Sequence, residues 1–488
     1  MATSEAPGEN AQLKDIISHA KEYGFVYPSS EIYDGLQAVY DYGAYGVELK
    51  NNLKRLWWET MTRVQDNIVG IDAAIFMHPT TWKASGHVDS FNDPMIDNKD
   101  SKKRYRADVL VEEHAAALEK AGQSEKGKAL TAALARLLEA EDLAGVRDLI
   151  TNEGIKCPIS GTSNWTDVRQ FNLMFSTQVG SVAEESSTIY LRPETAQGIF
   201  VNFLNVQKTA RMKVPFGIAQ IGKAFRNEIV ARQFIFRMRE FEQMEMQFFV
   251  RPGTELEWYE KWAATRMAWH LALGTPASKL RKHPHEKLAH YANAAMDIEY
   301  EFPFGFKEVE GIHSRTDFDL KSHQEYSKKK QQYFDPEINQ NYIPYVIETS
   351  IGADRLFLLT LCNAYTEEHS EEKSRTYLKL HPAIAPVKAA ILPIIKKDGL
   401  PEKGQEIVEL LKYDFNITYE DSGSIGKRYT RQDLIGTPFC IAVDHQTLED
   451  DTVTIRHRDS MEQERIAISE LHGRITEVTS FRRVFEKL

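Results

Sequence analysis

Cysteine is scarce: the 488 residues hold three, Cys157, Cys362 and Cys440, and no two are close in sequence. Such spacing excludes a disulfide framework and any CxxC zinc or redox pair, and it predicts a protein of the reducing cytoplasm. No apolar run reaches eighteen residues, so no membrane-spanning helix and no membrane partner is expected, and the opening MATSEAPGENAQ lacks the basic and apolar regions of a signal peptide. That leader, residues 1–12, is small and polar and predicts disorder. Sequence signatures of several common enzymes are missing as well. There is no GxGxxG, HExxH or GxSxG, and GSIGKRYT at Gly423 to Thr430 misses the GxxxxGK(S/T) spacing of a P-loop. An excess of positive charge is also absent. The net charge of −11 argues against indiscriminate nucleic-acid binding and leaves room only for local basic faces.

What remains is a globular composition, 42% hydrophobic, long enough for two or three domains. Leu49, Leu53, Leu56, Trp57, Met61 and Val64 recur at helical spacing, and the strand-like IVGIDAAIFMHP follows, stopping at Pro79. From about 105 to 155 the chain turns to Ala, Leu, Glu and Lys, which predicts a helical insertion. Aromatic and β-branched residues return over about 156–380 and predict a mixed or antiparallel sheet with a few helices. LHPAIAPV, with Pro382 and Pro386, reads as a short stiff linker at 381–387. Beyond it, the strand candidates KAAILPII, FNITYED, PFCIAVD and TVTIRHRD interleave with helical stretches, so 388–488 is expected to be a small α/β domain.

Three segments carry residues suited to chemistry. Within AFRNEIVARQFIFRMREFEQMEMQFF, Ala224 to Phe249, one strand face holds Arg237, Arg239, Phe241, Gln243, Glu245 and Gln247, and the other Phe236, Met238, Met244, Met246 and Phe248. Alternating charge alone fits a surface strand with cross-strand ion pairs. The apolar reverse face requires a core, so the polar face is read as the floor of a cleft, where a guanidinium grips phosphate and a Phe stacks on a base. VIETSIGADRLFL predicts a strand carrying Glu348 and Ser350, a break at Gly352, and a helix opened by Asp354 and Arg355. In IYLRPETAQGIFVNFL, Arg192 and Glu194 flank Pro193 before a helix opened by Thr195. A weaker segment, KEVEGIHSRTDFDL, offers Glu308, Glu310 and Asp319 for a magnesium ion. His283 and His285, flanking Pro284, read as a loop rather than a metal pair.

Taken together, YGVELKNNLKRLWW, FMHP, RPETAQG, FRNE, REFEQME and GADR resemble the homodimeric glycyl-tRNA synthetases of class II, in order and register from about Tyr23 to the C-terminus. The resemblance implies an α+β fold: a class II antiparallel-sheet catalytic domain at 13–380 with the helical insertion, and a C-terminal anticodon-binding domain. It implies a ligase that joins glycine and ATP into glycyl-adenylate and passes the glycyl group to tRNA(Gly), in a homodimer built through the first motif. By similarity Arg226 holds the α-phosphate, Glu228 the adenine edge and Arg355 the γ-phosphate. Phe241 stacks on adenine, and Arg237 and Glu308 complete the nucleotide site together with Asn227, Phe236, Val309, Gly352, Ala353 and Asp354. Glu194, Glu245, Glu348 and Ser350 surround the glycine ammonium, with Arg106, Phe241 and Gln243 beside them. Arg226 and Arg355, with Mg2+ on ATP, carry the catalysis. Lys427, Arg428, Arg431, Arg456 and Arg458 supply an RNA face, for which a solvated basic surface is the alternative.

The chain also departs from the family. Some members hold zinc with cysteines around the segments that here read DNKDSKKRYR and IKCPISG; only Cys157 is present, so no zinc is expected. The helical RNA-binding extension of animal members is missing too. Competing readings are a class II synthetase for serine, threonine or proline, opposed by the acidic pocket, and a non-catalytic paralogue, opposed by the presence of both Arg226 and Arg355.

Overall fold

The computed structural model describes residues 11–180, 187–229, 233–289, 291–369 and 374–488. Most of the leader expected to be disordered, residues 1–10, lies outside the described residues, while Ala11 and Gln12 already belong to a helix, Ala11–Glu22.

Seven strands form the central sheet: β1 (Ile68–Gly70), β2 (Phe216–Phe225), β3 (Glu240–Val250), β4 (Leu280–Pro284), β5 (Ala294–Phe302), β6 (Gly305–Thr316) and β7 (Tyr345–Gly352), in the order β4-β5-β6-β7-β3-β2-β1. Every pairing is antiparallel except that of β1 with β2. The strand expected across IVGIDAAIFMHP therefore shortens to Ile68–Gly70, and Pro79 opens a helix, Pro79–Ala84, where its missing N–H is no loss. Three helices cover one face of the sheet: α1 (Ala44–Glu59), α2 (Glu255–Ala272) and α3 (Ala353–Ala364). Met244, Met246 and Phe248 of β3 meet Leu53 and Trp57 of α1, Trp262 of α2 and Leu358 of α3 in one buried cluster. Each such side chain contributes about 1.5–3 kcal/mol on burial. With the helices on that face, the opposite face of β3, β6 and β7 is left to a cleft.

A β-bulge decides which residues of β6 reach the cleft. Glu308 pairs with Glu299 and Glu310 with the adjacent Ile298, leaving Val309 as the extra residue. Strand alternation would put Glu308 and Glu310 on one face; the bulge puts Glu308 in the cleft and Val309 and Glu310 in the core. Glu310 there accepts from Arg266 Nε at 2.5 Å and meets His270 Nε2 at 2.8 Å, with all three side chains fully buried. Asp319 is bound elsewhere by Arg315, so the trio proposed to hold magnesium is not assembled. Removing the carboxylate strands a buried guanidinium. Glu310→Ala is expected to destabilise the protein by about 3–5 kcal/mol, read as a lowered urea midpoint, and a change below about 1 kcal/mol would contradict this account.

The Ala- and Leu-rich stretch forms three helices, Ala107–Lys120, Ser124–Glu139 and Leu143–Asn152. They pack around Leu110, Val111, Leu130, Leu134, Val146 and Ile150, joined by Ile96 and Trp165 from outside the helical run. A three-stranded antiparallel sheet, Lys103–Arg106, Asn92–Asn98 and Arg169–Asn172, lies on either side of it in sequence, so this unit extends beyond its helices.

At the C-terminal end, five strands run in the order Ile417–Tyr419, Ala389–Pro393, Phe439–Val443, Thr452–His457, Gln463–Ala467. The first three are parallel and the rest antiparallel. A helix at Leu471–Thr479 went unread in the sequence. The expected linker does not cross solvent: Ala383, Ile384, Ala385 and Val387 are buried. Asn52 Nδ2 donates to the Ile384 and Ala385 carbonyls at 3.2 Å, which ties the segment to α1.

Candidate active site

Sheet register assembles the acidic end of the cleft. Glu245 of β3 lies opposite Ser350 of β7, Gln247 opposite Glu348, and on the far side of β7, Gly311 and His313 of β6 lie opposite Ser350 and Glu348. Glu245 Oε2 accepts from Thr195 Oγ1 at 2.6 Å, and Oε1 accepts from Ser350 Oγ at 2.8 Å and Gln243 Nε2 at 3.2 Å. Glu348 accepts from Gln247 Nε2 at 2.7 Å and Arg315 Nη1 at 3.1 Å, and its Oε1 meets His313 Nδ1 at 2.8 Å. Glu194, placed by the turn before the helix Ala196–Val201, accepts from Gln197 Nε2 at 3.0 Å and lies 3.4 Å from His87 Nε2.

These carboxylates differ in protonation. Burial opposes ionisation of Glu194, but His87 and Arg315 outweigh it and hold the group well below the usual range. Burial likewise opposes Glu348, and Arg315 with His313 brings it low. Glu245 is bonded by the neutral Thr195, Gln243 and Ser350 and not by a guanidinium or imidazole, so burial and the charges of Glu348 and Glu194 push it well above the ordinary carboxylate range. An ammonium entering among the three supplies the missing cation and favours the ionised form of Glu245.

The basic end lies further along the same cleft. Arg226 donates from Nε to the Pro193 carbonyl at 3.0 Å, and its guanidinium lies 5.4 Å from the Phe241 ring centre and 5.5 Å from that of Phe91. Arg355, in the first turn of α3, donates to the Phe236 carbonyl at 3.2 Å, covers that ring at 4.4 Å, and pairs with Glu308 at 3.0 Å. Partial withdrawal from solvent would raise Glu308, about half of whose side chain stays exposed, yet Arg355 keeps it below its usual range. Glu228, Arg237 and Gly352 also line the cleft.

Other expected residues are engaged differently. Asp354 lines the cleft, but its carboxylate is filled by Tyr42 Oη, by Lys50 Nζ at 2.6 Å and by the Glu242 N–H at 2.8 Å, so it anchors α3 to α1 and β3. Val309 and Ala353 are core side chains. Asn227 is fixed by its N–H on the Leu173 carbonyl at 2.8 Å. Arg106 pairs with Asp108 at 2.6 Å and Asp93 at 3.2 Å, near enough to the cleft's edge to feel the charge of Glu228. His283 belongs to β4, and it and His285 pair with Glu299 and Asp297 instead of forming a free loop.

The expected RNA face needs the largest correction. Arg428 is buried and donates to the Pro393, Glu420 and Ile394 carbonyls; Arg456 is buried on Asp433, at 2.9 Å from each oxygen; and Arg458 is buried on the Gly436 and Leu380 carbonyls. These three hold the small domain together and join it to the linker. Lys427 and Arg431 are exposed, the latter paired with Glu420.

Sequence reasoning passed over Arg315, the counter-charge of the acidic pocket. Its guanidinium binds Asp319 and Glu348 and covers the Tyr291 ring at 4.1 Å. Arg315 lies within KEVEGIHSRTDFDL, a segment read for its carboxylates, and because it stands on a strand while Asp319 opens the next helix, their spacing gave no signal. Arg192 braces the site: it donates to the Lys223 carbonyl at 2.6 Å and the Ala73 carbonyl at 2.7 Å, and a Cβ on Gly222 would stand 2.2 Å from its Nη2. DNKDSKKRYR and IKCPISG do meet, joined by hydrogen bonds. Ser101 Oγ lies 3.3 Å and Tyr105 Oη 3.1 Å from Cys157 Sγ, and Ser160 Oγ donates to Asn98 Oδ1 at 3.0 Å.

Comparison with known proteins agrees with this arrangement. Residues 175–364 match the tRNA synthetase class II core domain (G, H, P, S and T), 388–478 the anticodon binding domain, and 93–132 with 123–173 the glycyl-tRNA synthetase insertion domain 1. The crystal structure of prolyl-tRNA synthetase from Cryptosporidium parvum, complexed with halofuginone and AMPPNP, has the same fold, with a TM-score of 0.58 over 97% of this chain and 77% of that one at 15% identity. The fold is that of a class II aminoacyl-tRNA synthetase. The chain is 56% identical to the glycine–tRNA ligase of Chlorobaculum tepidum over 459 residues, 94% of this chain and 98% of the relative. It is 53% identical to that of Staphylococcus haemolyticus over 473 residues, 96% and 99% respectively. It belongs to the glycine–tRNA ligase family.

Proposed function

We propose that the chain activates glycine with ATP and transfers the glycyl group to the 3′ end of tRNA(Gly). One observation carries the choice of amino acid: Glu194, Glu245, Glu348 and Ser350 converge on one small pocket at the end of a cleft lined by Arg226, Phe241 and Arg355. Glycine bound there presents its ammonium to the carboxylates and its own carboxylate toward the arginines. The glycine carboxylate oxygen attacks the α-phosphorus and pyrophosphate leaves, so the protein supplies position and charge and no nucleophile. Arg226 stabilises the α-phosphate as charge builds on it, Arg355 binds the γ-phosphate, and adenine lies on Phe241 with its edge at Glu228. Glu308, the cleft-facing carboxylate of β6 beside Arg355, would hold Mg2+ on ATP, and the ion would supply charge that favours departure of pyrophosphate.

Alanine is excluded because the pocket wall does not yield: Glu245 is clamped from both sides by Thr195 and Ser350. The catalytic unit is assigned to 13–380, with 388–488 reading the tRNA through an exposed face that includes Lys427 and Arg431. A homodimer is proposed through the first motif, around which Ile32, Tyr33, Leu36, Val47 and Phe76 are exposed apolar side chains. Free cysteines and the lack, among the described residues, of a helix long and apolar enough to cross a membrane support a cytoplasmic place.

Amino-acid-dependent exchange of pyrophosphate into ATP, run without tRNA, tests the reading. Glycine alone is expected to support exchange. Exchange with serine, threonine, proline or alanine would refute the pocket assignment, and none with any amino acid, even after tRNA is added, would refute the enzyme.

A further inference from the structure

Beside the acidic pocket, in a cavity that Glu308 also lines, three groups that the proposed activation chemistry does not use meet near the open edge of the sheet. His285 follows β4, Asp297 lies on β5 and His313 on β6, and one potential ligand atom from each falls within 4.8 Å of the other two. His285 Nε2 is 2.9 Å from Asp297 Oδ2, and the two imidazole centres are 5.8 Å apart. The space between them is kept open by Gly311, since a Cβ there would stand 3.1 Å from His313 Cε1, 3.4 Å from its Nε2 and 3.7 Å from Asp297 Oδ1. All three residues are half-buried and line a cavity that opens at the surface.

We infer that His285, Asp297 and His313 form a binding site for a Zn2+-class divalent cation. Two imidazoles and one carboxylate are a ligand set for zinc and its first-row neighbours and a poor one for magnesium or calcium, which take oxygen ligands. The ring orientation of His313 is a second, independent observation. Its Nδ1 is engaged by Glu348 at 2.8 Å, so in the neutral imidazole Nδ1–H donates and Nε2 presents its lone pair, the carboxylate–histidine–metal relay by which proteins fix a ligating imidazole. Zinc bonds of about 2.0–2.2 Å at tetrahedral angles set ligand atoms about 3.3–3.6 Å apart, so the 2.9 Å contact between His285 Nε2 and Asp297 Oδ2 opens slightly to admit the ion. The remaining coordination positions face the cavity and are filled by water. A metal on Nε2 locks the tautomer of His313, and with it the orientation of Glu348, so the ion supports the amino-acid pocket from behind without touching substrate. The site shares nothing with the Cys157 turn, and its occupation does not depend on the reading of the cleft.

The test is calorimetric titration of the full chain with Zn2+ alone, without nucleotide or glycine, alongside Co2+, whose visible spectrum reports imidazole ligation. Wild-type protein is expected to bind one tight Zn2+, and His285→Ala and Asp297→Asn are each expected to weaken that binding on the order of 100-fold and abolish the Co2+ spectrum. His285 is half-buried at the sheet's edge, so its variant keeps the test valid if Asp297→Asn misfolds. Failure of wild type to bind a stoichiometric ion, or equal affinity in wild type and His285→Ala, would overturn the site. Neither result bears on glycine-dependent exchange, which is measured separately.

Discussion

Arg226→Ala is expected to lower the rate of glycine-dependent pyrophosphate exchange by 10²–10³-fold, with little change in KM for glycine. The guanidinium is immobilised before substrate arrives, by the Pro193 carbonyl through Nε and by the rings of Phe91 and Phe241. That leaves Nη1 and Nη2 for the α-phosphate, whose charge grows as the glycine carboxylate adds. A donor held in place without reorganisation is worth about 2.7–4 kcal/mol in the transition state, which gives the stated range. Arg226→Lys tests the same point more finely. An ammonium keeps the charge, but its three N–H bonds diverge from a single nitrogen with no planar fork, so it cannot hold the Pro193 carbonyl and grip phosphate bidentately at once and is expected to recover only part of the loss. A fall of less than about fivefold in Arg226→Ala would remove this residue from the catalytic role.

The residues that were legible from sequence were those whose strand obeys simple alternation. Phe241, Gln243 and Glu245 face the cleft while Met244, Met246 and Phe248 face the core, as period two requires, and the strand-to-helix turn at Gly352 was visible in VIETSIGADRLFL. Alternation failed at Val309, where one extra residue turned Glu310 into the core, because a bulge has no signature in a run of Lys, Glu, Val and Glu. Charge misled at the C-terminal end. Arg428, Arg456 and Arg458 look like surface cations in sequence, but each satisfies buried carbonyls or a buried carboxylate. In the helix Ile425–Ile435, Arg428 shares a face with Gln432 and Ile435, so helical periodicity alone pointed it inward. Arg315 escaped notice because the sequence gives no sign that it comes beside Glu348; it stands at a second irregularity of β6, between Ser314 and Thr316, which only the folded sheet reveals. The linker was misjudged for a similar reason: two prolines suggest stiffness, but burial of Ala383 and Ile384 comes from contact with distant segments.

Glu245 separates the two substrates most sharply. Glu245→Ala is expected to reduce kcat/KM for glycine by 10²–10³-fold while KM for ATP changes by less than about threefold. Its carboxylate is buried, it binds Thr195 and Ser350, and in the proposed pose it is one of three that meet the glycine ammonium, so its removal is expected to cost about 2–5 kcal/mol at that end of the cleft alone. Glu245→Gln keeps the shape and separates charge from packing. The pH profile follows from the same geometry. Without substrate, burial and the neighbouring carboxylates push Glu245 up to about 8, so near neutrality the pocket holds it protonated. Glycine binding favours the ionised form, and the proton must leave. Below that pKa, affinity therefore rises with pH: KM for glycine is expected to fall on the order of tenfold per unit between about pH 6 and 8, with KM for ATP flat across the window. In Glu245→Gln no proton has to leave, so the slope disappears even as affinity drops. Equal losses toward glycine and ATP in Glu245→Ala, or a slope that survives in Glu245→Gln, would mean that this carboxylate does not receive the ammonium.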